Sequence, residues 1–264
     1  MSTDAAEDFL LRLNAALGDA AGDFQPQVLA ECDSSNAWLA RRANYLPDGA
    51  LLVALRQTAG RGRMGRSWFS AENDSLTFSF FWRPPPATQL SGLSLAVGVA
   101  LVDALESLGA RELVLKWPND VLWQDKKIAG ILVEAPAVGK VIIGIGINLR
   151  SPKAASSNFP EEIKEKSIAL DNLISPASYP PEKVLAVILA NLRLALKNFT
   201  QLGLVVENWQ KKCTHLDQRV SIIQQDGSLQ NGICRGINSN GALLLETAQG
   251  IQHILSGDVS LRTS

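Results

Sequence analysis

Four short segments of this chain combine residues in chemically suggestive patterns, and two of them are suited to holding an anion. Residues 57–68 read Gln-Thr-Ala-Gly-Arg-Gly-Arg-Met-Gly-Arg-Ser-Trp, with three glycines (Gly60, Gly62, Gly65), three arginines (Arg61, Arg63, Arg66) and no acid before Glu72. Glycine allows positive φ and close backbone approach, so amide N–H groups can point at an anion. Arginine adds planar donors that match phosphate or carboxylate. No Gly-Lys-Ser/Thr follows, so the segment is not a P-loop. Its rival reading is a solvated basic turn or an exposed nucleic-acid patch. Residues 116–120, Lys-Trp-Pro-Asn-Asp, place Lys116 at the end of an apolar run. There its charge can stabilise a developing anion, or simply guard a sheet edge. Residues 127–134, KIAGILVE, set Gly130 inside a strand pattern, where the missing Cβ lets a ligand approach the backbone. Residues 144–148, Gly-Ile-Gly-Ile-Asn, fail the dinucleotide fingerprint, because Leu149 stands where its third glycine belongs. Alone, that segment reads as a tightly packed strand closed by Asn148.

The elements that must position these segments follow from hydrophobic spacing. Phe9, Leu10, Leu13 and Leu17 predict a helix within residues 3–21. A strand is expected over 28–32, then a helix through Trp38, Leu39 and Arg42 with N-cap residues among Asp33, Ser34, Ser35 and Asn36. Residues 50–55 form an apolar run of strand length, and Leu76, Phe78 and Phe80 alternate as one face of a half-buried strand. Leu93, Val97, Leu101, Leu105 and Leu108 predict a long helix over 91–109, stopped by Gly109. Strands are expected at 111–116, 120–123, 127–135 and 139–147, a mobile loop at 150–166, and helices at 182–202 and 205–212. After His215 the pattern becomes short strands around Asp226-Gly227 and Asn240-Gly241, strong hairpin signals. So many short strands close naturally into an SH3-like barrel.

Composition bounds the rest. The 264 residues suggest one large domain or one with a small satellite, at about 150 residues per domain. A hydrophobic content of 46% excludes global disorder, and 25 basic against 26 acidic residues exclude a uniformly basic nucleic-acid or membrane binder. Cys32, Cys213 and Cys234 lie far apart, with only two histidines, so neither a disulfide framework nor a zinc site is expected. The acidic start lacks a signal-like core, and no apolar run reaches the ~18 residues of a membrane span. A soluble cytoplasmic protein is the expectation.

Taken together, Ser34-Ser35-Asn36, QTAGRGRMGRSWFS, KWPNDV, KIAGILVE and GIGINL, in this order, resemble the biotin–protein ligase family. The resemblance implies an α+β fold: a mixed-sheet catalytic domain with flanking helices, of the class II aminoacyl-tRNA synthetase/biotin ligase type, over 1–214, then an SH3-like barrel over 215–264. It implies joining of biotin's carboxylate to AMP from ATP, with Mg²⁺, and transfer of biotin to a lysine of a biotin carboxyl carrier protein. Ser34, Ser35, Asn36, Gln57, Gly60, Arg61, Gly62, Arg63, Lys116 and Gly130 match positions around biotin. Arg63, Arg66, Trp68 and Asn148 match positions at the nucleotide, with Trp68 stacking beside adenine and Asn148 hydrogen-bonding it. Lys116 is the expected main electrostatic catalyst, with Arg63 beside it; metal ligands are unassigned. Asp120 is the candidate for deprotonating the acceptor lysine.

Two departures stand out. Ser35 replaces a threonine common in the family, keeping the hydroxyl. Residues 150–174 contain no Trp to cover the adenylate, which leaves Ile168 or Leu170. About 30 residues before the first strand leave no room for a DNA-binding domain of about 40 residues, so an enzyme without repressor function is expected, either monomer or homodimer. Carrier docking is expected along the sheet edge near 127–147 and the barrel. A lipoate ligase and a non-catalytic biotin sensor are the rival readings.

Overall fold

The structure, a computed structural model, describes residues 3–70, 74–151, 161–199, 202–224 and 226–261. Helix α1 (Thr3–Leu17) runs into a 3-10 turn (Gly18–Asp23), then strand β1 (Gln25–Leu29). Helix α2 (Ser35–Arg42) leads to β2 (Ala50–Ala54) and β3 (Ser75–Trp82). Helix α3 (Leu93–Ser107) precedes a meander of β4 (Val114–Lys116), β5 (Asp120–Trp123), β6 (Lys126–Ala137) and β7 (Lys140–Asn148). Helices α4 (Glu161–Lys166), α5 (Pro181–Lys197) and α6 (Leu202–Lys212) follow. The chain ends in β8 (Arg219–Ile223), β9 (Leu229–Ile237), β10 (Leu243–Thr247), β11 (Gly250–Ile254) and β12 (Asp258–Leu261).

The first seven strands form one mixed sheet in the order β1-β2-β3-β7-β6-β5-β4, with β1 and β2 parallel and the other neighbours antiparallel. Strand β7 is its centre, with β3 beside it. Leu76, Phe78 and Phe80 enter the main core as their alternation predicts. The other face is buried as well, so the half-buried expectation is corrected. Ser75, Thr77 and Ser79 lie on that second face, and Phe81 joins Leu39, Leu52 and Ile142 beneath α2. A polar half-face that looks built for solvent is instead the floor of a site.

Helix α3 is buried on nearly all sides because the sheet lies on one flank and α5 and α6 on the other. Truncating any one of its buried leucines to alanine would cost about 2–5 kcal/mol. The first strand falls at 25–29, not 28–32, which leaves residues 30–34 to form the bend carrying the α2 cap. Within the segment expected as a loop, 161–166 is helical; residues 152–160 of that expectation lie outside the described residues.

The last five strands form an antiparallel sheet in the order β11-β10-β9-β8-β12, and β12 is an addition to the expected set. Both hairpin turns fall where Asp226-Gly227 and Asn240-Gly241 predict. Among the described residues, no β11–β12 pairing closes this sheet into a barrel. It abuts the main sheet beside β4: the Trp117 indole N–H donates to the Gly241 carbonyl at 3.1 Å, and the Thr214 N–H to the Leu115 carbonyl at 3.0 Å. Gly241 has φ +74°, and a Cβ there would meet the Gly92 Cα at 2.7 Å, so this junction is backbone against backbone. No helix among the described residues is long and apolar enough to cross a membrane.

Candidate functional site

The first part of the site grows from the start of α2. Ser34, extended at φ −156°, caps the helix by accepting from the Ala37 N–H. The next residue then turns its backbone N–H and its hydroxyl toward the same acceptor, Gln57 Oε1, at 2.7 and 3.1 Å. The Ser79 hydroxyl, from the polar face of β3, lies 2.7 Å from that of Ser35 and donates to Asn36 Oδ1 at 2.5 Å. Asn36 Nδ2 donates to the Leu132 carbonyl and to Glu134 Oε2. Gly144 makes room: a Cβ there would lie 2.2 Å from Asn36 Oδ1. The result is a fixed polar end to a cavity of about 110 Å³, lined also by Arg61, Gly62, Arg63, Gly130 and Gly146.

Over this cavity lies a small hairpin. The Gly62 N–H donates to the Arg66 carbonyl at 2.7 Å, Arg66 to Arg63 at 3.1 Å and Trp68 to Gly60 at 2.9 Å. Gly60 lines neither cavity; it lets the base of the hairpin close, since a Cβ there would meet the Trp68 carbonyl at 2.4 Å. Met64 and Gly65 turn the tip in left-handed conformations, φ 53° and 73°. Arg61 reaches Glu134 at 3.5 Å. Burial draws the Arg63 guanidinium below its ordinary pKa, against the opposing pull of Asp258.

Trp68 closes the hairpin and divides the site. Its ring lies on a patch without side chains, formed because Gly130 of β6 pairs with Gly146 of β7. A Cβ on Gly146 would come within 2.3 Å of the indole, and one on Gly130 within 3.3 Å. Beyond the ring opens a larger cavity of about 830 Å³, lined by Arg66, Lys116, Asn148 and Arg150 among others. Arg66, Ser67, Trp68, Asp120 and Lys127 line both cavities.

This partition sorts the expected residues. Ser34, Ser35, Asn36, Gln57, Arg61, Gly62, Arg63 and Gly130 gather at the small cavity, and Arg66, Trp68 and Asn148 at the large one. Lys116 lies on the large cavity and not the small one, although the resemblance implies a place around biotin as well, and Arg63 lies on the small cavity and not the large one, although the resemblance implies a place at the nucleotide too. Asn148 Nδ2 donates at 3.1 Å to both the Lys127 and Ile168 carbonyls, so it braces the wall. Ile168 lines the large cavity, whereas Leu170 is buried in the core and supplies no cover.

Lys127 was missed. Its ammonium lies 2.6 Å from Asp120 and 5.6 Å from the Trp68 ring centroid, within cation–π range. The available signal was Gly130: a Cβ there would sit 3.0 Å from Lys127 Cε and Nζ, so the glycine admits the lysine of the same strand. Ser79 and His215 were also missed. His215 is 5% exposed, lines the large cavity and, among the described residues, finds no side-chain hydrogen-bond partner at Nδ1.

Burial lowers the His215 pKa, and the nearby Lys116 charge lowers it further, with Asp125 opposing. An unfolded histidine takes up its proton near pH 6.5, so below that the unfolded chain binds more protons than the folded one. Stability is therefore complete above about pH 6.5 and declines as pH falls. Thermal melts at pH 7.5 and 5.5 will show this loss, and His215→Gln will reduce it; an equal loss in the variant would refute the assignment.

No three His, Cys, Asp or Glu side chains come together as a metal site among the described residues. Asp74, Asp120 and Asp125 face the large cavity. Magnesium is commonly held by one or two carboxylates plus substrate phosphates and water, so these donors fit an ion that arrives with a nucleotide.

Residues 29–148 match the biotin/lipoate A/B protein ligase family, and residues 215–262 match the biotin protein ligase C-terminal domain. The biotin--[acetyl-CoA-carboxylase] ligase of Mycobacterium tuberculosis is 32% identical over 251 residues, spanning 92% of this chain and 91% of that protein. The chain belongs to the biotin protein ligase family. The ligase is also 37% identical to the bifunctional ligase/repressor BirA of Escherichia coli K12 over 248 residues, 90% of this chain and 74% of that protein. Its fold is similar to that of the Aquifex aeolicus biotin protein ligase in complex with biotin and ATP: TM-score 0.78, 35% identity, covering 91% of this chain and 99% of the other.

Proposed function

We propose that the ligase activates biotin with ATP as biotinyl-5′-AMP and transfers the biotinyl group to a lysine of a biotin carboxyl carrier protein. The observation that carries this reading is the pair of cavities sharing one seam at Arg66, Trp68, Asp120 and Lys127. The small cavity ends in Ser35, Gln57 and Asn36, donors and acceptors suited to the neutral ureido ring of biotin, with Ser79 fixing Ser35 and Asn36 from behind. A dithiolane head, as in lipoate, would leave that buried network unanswered, which is costly. The acid's tail then points its carboxylate at the seam, and the nucleotide fills the larger space with its α-phosphate at the same place.

In the first step a carboxylate oxygen bonds to the α-phosphorus and the bond to pyrophosphate breaks. Two anions must meet, so the barrier is electrostatic and falls to fixed cations. Lys127 and Arg66 stand at the seam, Arg63 on the biotin side and Lys116 on the nucleotide side. Asp74, Asp120 and Asp125 would hold a magnesium ion arriving with the triphosphate, and that ion would supply further charge neutralisation. In the second step the carrier's lysine attacks the acyl carbon, AMP leaves, and the amine gives up a proton. Asp120 stands at the seam to receive it.

The two family matches support a division at 214/215, with a catalytic part and a C-terminal part. A carrier partner follows from the activity, a cytoplasmic setting suits three free cysteines, and the ligase works as a monomer or homodimer. The test is incubation of the whole protein with MgATP, a carrier domain and either labelled biotin or labelled lipoate. Biotin transfer that requires ATP is the expected result. Transfer of lipoate alone would reassign the substrate, and biotin binding without turnover would make the protein a sensor.

A further inference from the structure

The last strand of the C-terminal sheet sends one carboxylate into the catalytic site. Asp258 Oδ2 lies 2.7 Å from Arg66 Nη1, and its Oδ1 lies 3.8 Å from Lys116 Nζ. The carboxylate is also close enough to Arg63 to act on its charge. One acid from the far end of the chain thus faces three cations of the site.

The two sides of this contact differ in rigidity. Asp258 opens β12, which pairs with β8 over its whole length. Gly257 has φ +145°, and a Cβ there would meet Ile222 Cγ2 at 2.9 Å and the Ile223 carbonyl at 3.0 Å, so the strand enters tightly pressed against β8. The sheet itself is fixed beside Lys116 through the Trp117–Gly241 bond. Arg66, by contrast, lies at the exposed end of a nine-residue hairpin (60–68), whose backbone bonds are internal and which is held at its base by Trp68 on the glycine patch and by the Arg61–Glu134 pair. A rigid post meets a light flap, and the ion pair between them spans the mouth of the cleft.

We propose that Asp258 is a positioning residue: the C-terminal sheet uses it to latch the arginine hairpin down over the seam through Arg66, with Lys116 steadying the carboxylate from the other side. The latch rests on the functional reading above only for its consequence, retention of the acyl-adenylate; the latch itself is a property of the free protein. When the hairpin lifts, water reaches a reactive anhydride, and a held hairpin excludes it.

The experiment is hydrogen exchange on the unliganded full chain, reading the amides of Gly62, Arg66 and Trp68. Asp258→Asn will speed their exchange about threefold, the scale of a partly exposed ion pair, and Asp258→Glu will restore it. In an Arg66→Ala background, Asp258→Asn will add nothing, because the partner is already gone. In a chase of bound biotinyl-AMP, Asp258→Asn will release it faster by a similar factor. Unchanged hairpin exchange in Asp258→Asn, or an effect that simply adds to Arg66→Ala, overturns the latch. Faster exchange in a protein that makes no adenylate leaves the latch standing and removes the functional reading instead.

Discussion

Replacing Lys127 by alanine will lower the rate of adenylate formation by about a hundredfold or more, the scale for removing one fixed electrostatic stabiliser, while biotin binding stays measurable. The reason is position. Lys127 lines both cavities and holds its ammonium between the Trp68 ring and Asp120, where the incoming carboxylate and the α-phosphate must meet. The contacts that its backbone makes survive the substitution, since the Ile168 N–H and Asn148 Nδ2 both bind the Lys127 carbonyl. The wall therefore stays in place and the loss is one of charge. Lys116→Ala, which touches only the nucleotide side, will act more on KM for ATP than on kcat. Pyrophosphate exchange measured against each substrate separates the two. A Lys127→Ala protein exchanging at near-normal rates would refute this assignment and return the leading role to Lys116.

The second large effect comes from adding a single methyl to β7. Gly144→Ala and Gly146→Ala stand two residues apart on one face of a strand, yet they will damage different substrates. At 144 the new Cβ would lie 2.2 Å from Asn36 Oδ1, so the amide must leave and the hydrogen-bonded end of the small cavity goes with it. At 146 it would lie 2.3 Å from the Trp68 ring, which must tilt off its seat between the cavities. Losing a buried hydrogen-bond network or displacing a stacking ring each costs on the order of 1–3 kcal/mol, about ten- to a hundredfold in affinity. Gly144→Ala will weaken biotin chiefly, and Gly146→Ala will weaken ATP chiefly. Isothermal titration with each ligand alone tests the division; equal loss of both in both variants would mean that the strand has simply shifted.

What the sequence discloses is what local chemistry dictates. The serine cap of α2, the turns at Asp226-Gly227 and Asn240-Gly241, and the glycine–arginine segment, which the structure folds as a hairpin, each depend on neighbours a few residues away. So the small cavity is largely legible in the motifs that line it. What stays hidden depends on register. Ser79 matters because β3 turns it beneath Asn36, 43 residues away in the chain. Gly130 and Gly146 form one patch only because β6 and β7 pair at those two positions. Lys127 and His215 are ordinary in sequence, a basic strand residue and a lone histidine. The pairing of β6 with β5 sets the first beside Asp120, and the approach of the C-terminal sheet sets the second beside Lys116. The first strand is displaced for the opposite reason: its parallel pairing with β2 already starts at Gln25 and breaks after Leu29, and Cys32 returns only as an isolated bridge to Gln57 ahead of the Ser34 cap.

The shared indole has a thermodynamic consequence. Trp68 is a wall of both cavities, so with biotin and ATP placed as proposed above, a tilt imposed by the vitamin alters the seat of the nucleotide. Linkage requires the converse by the same factor, whichever ligand enters first. The affinity of a biotin analogue for the free enzyme and its affinity for the ATP-loaded enzyme are then different quantities. Inhibitors ranked without nucleotide will fall in the wrong order wherever their tails press on that ring.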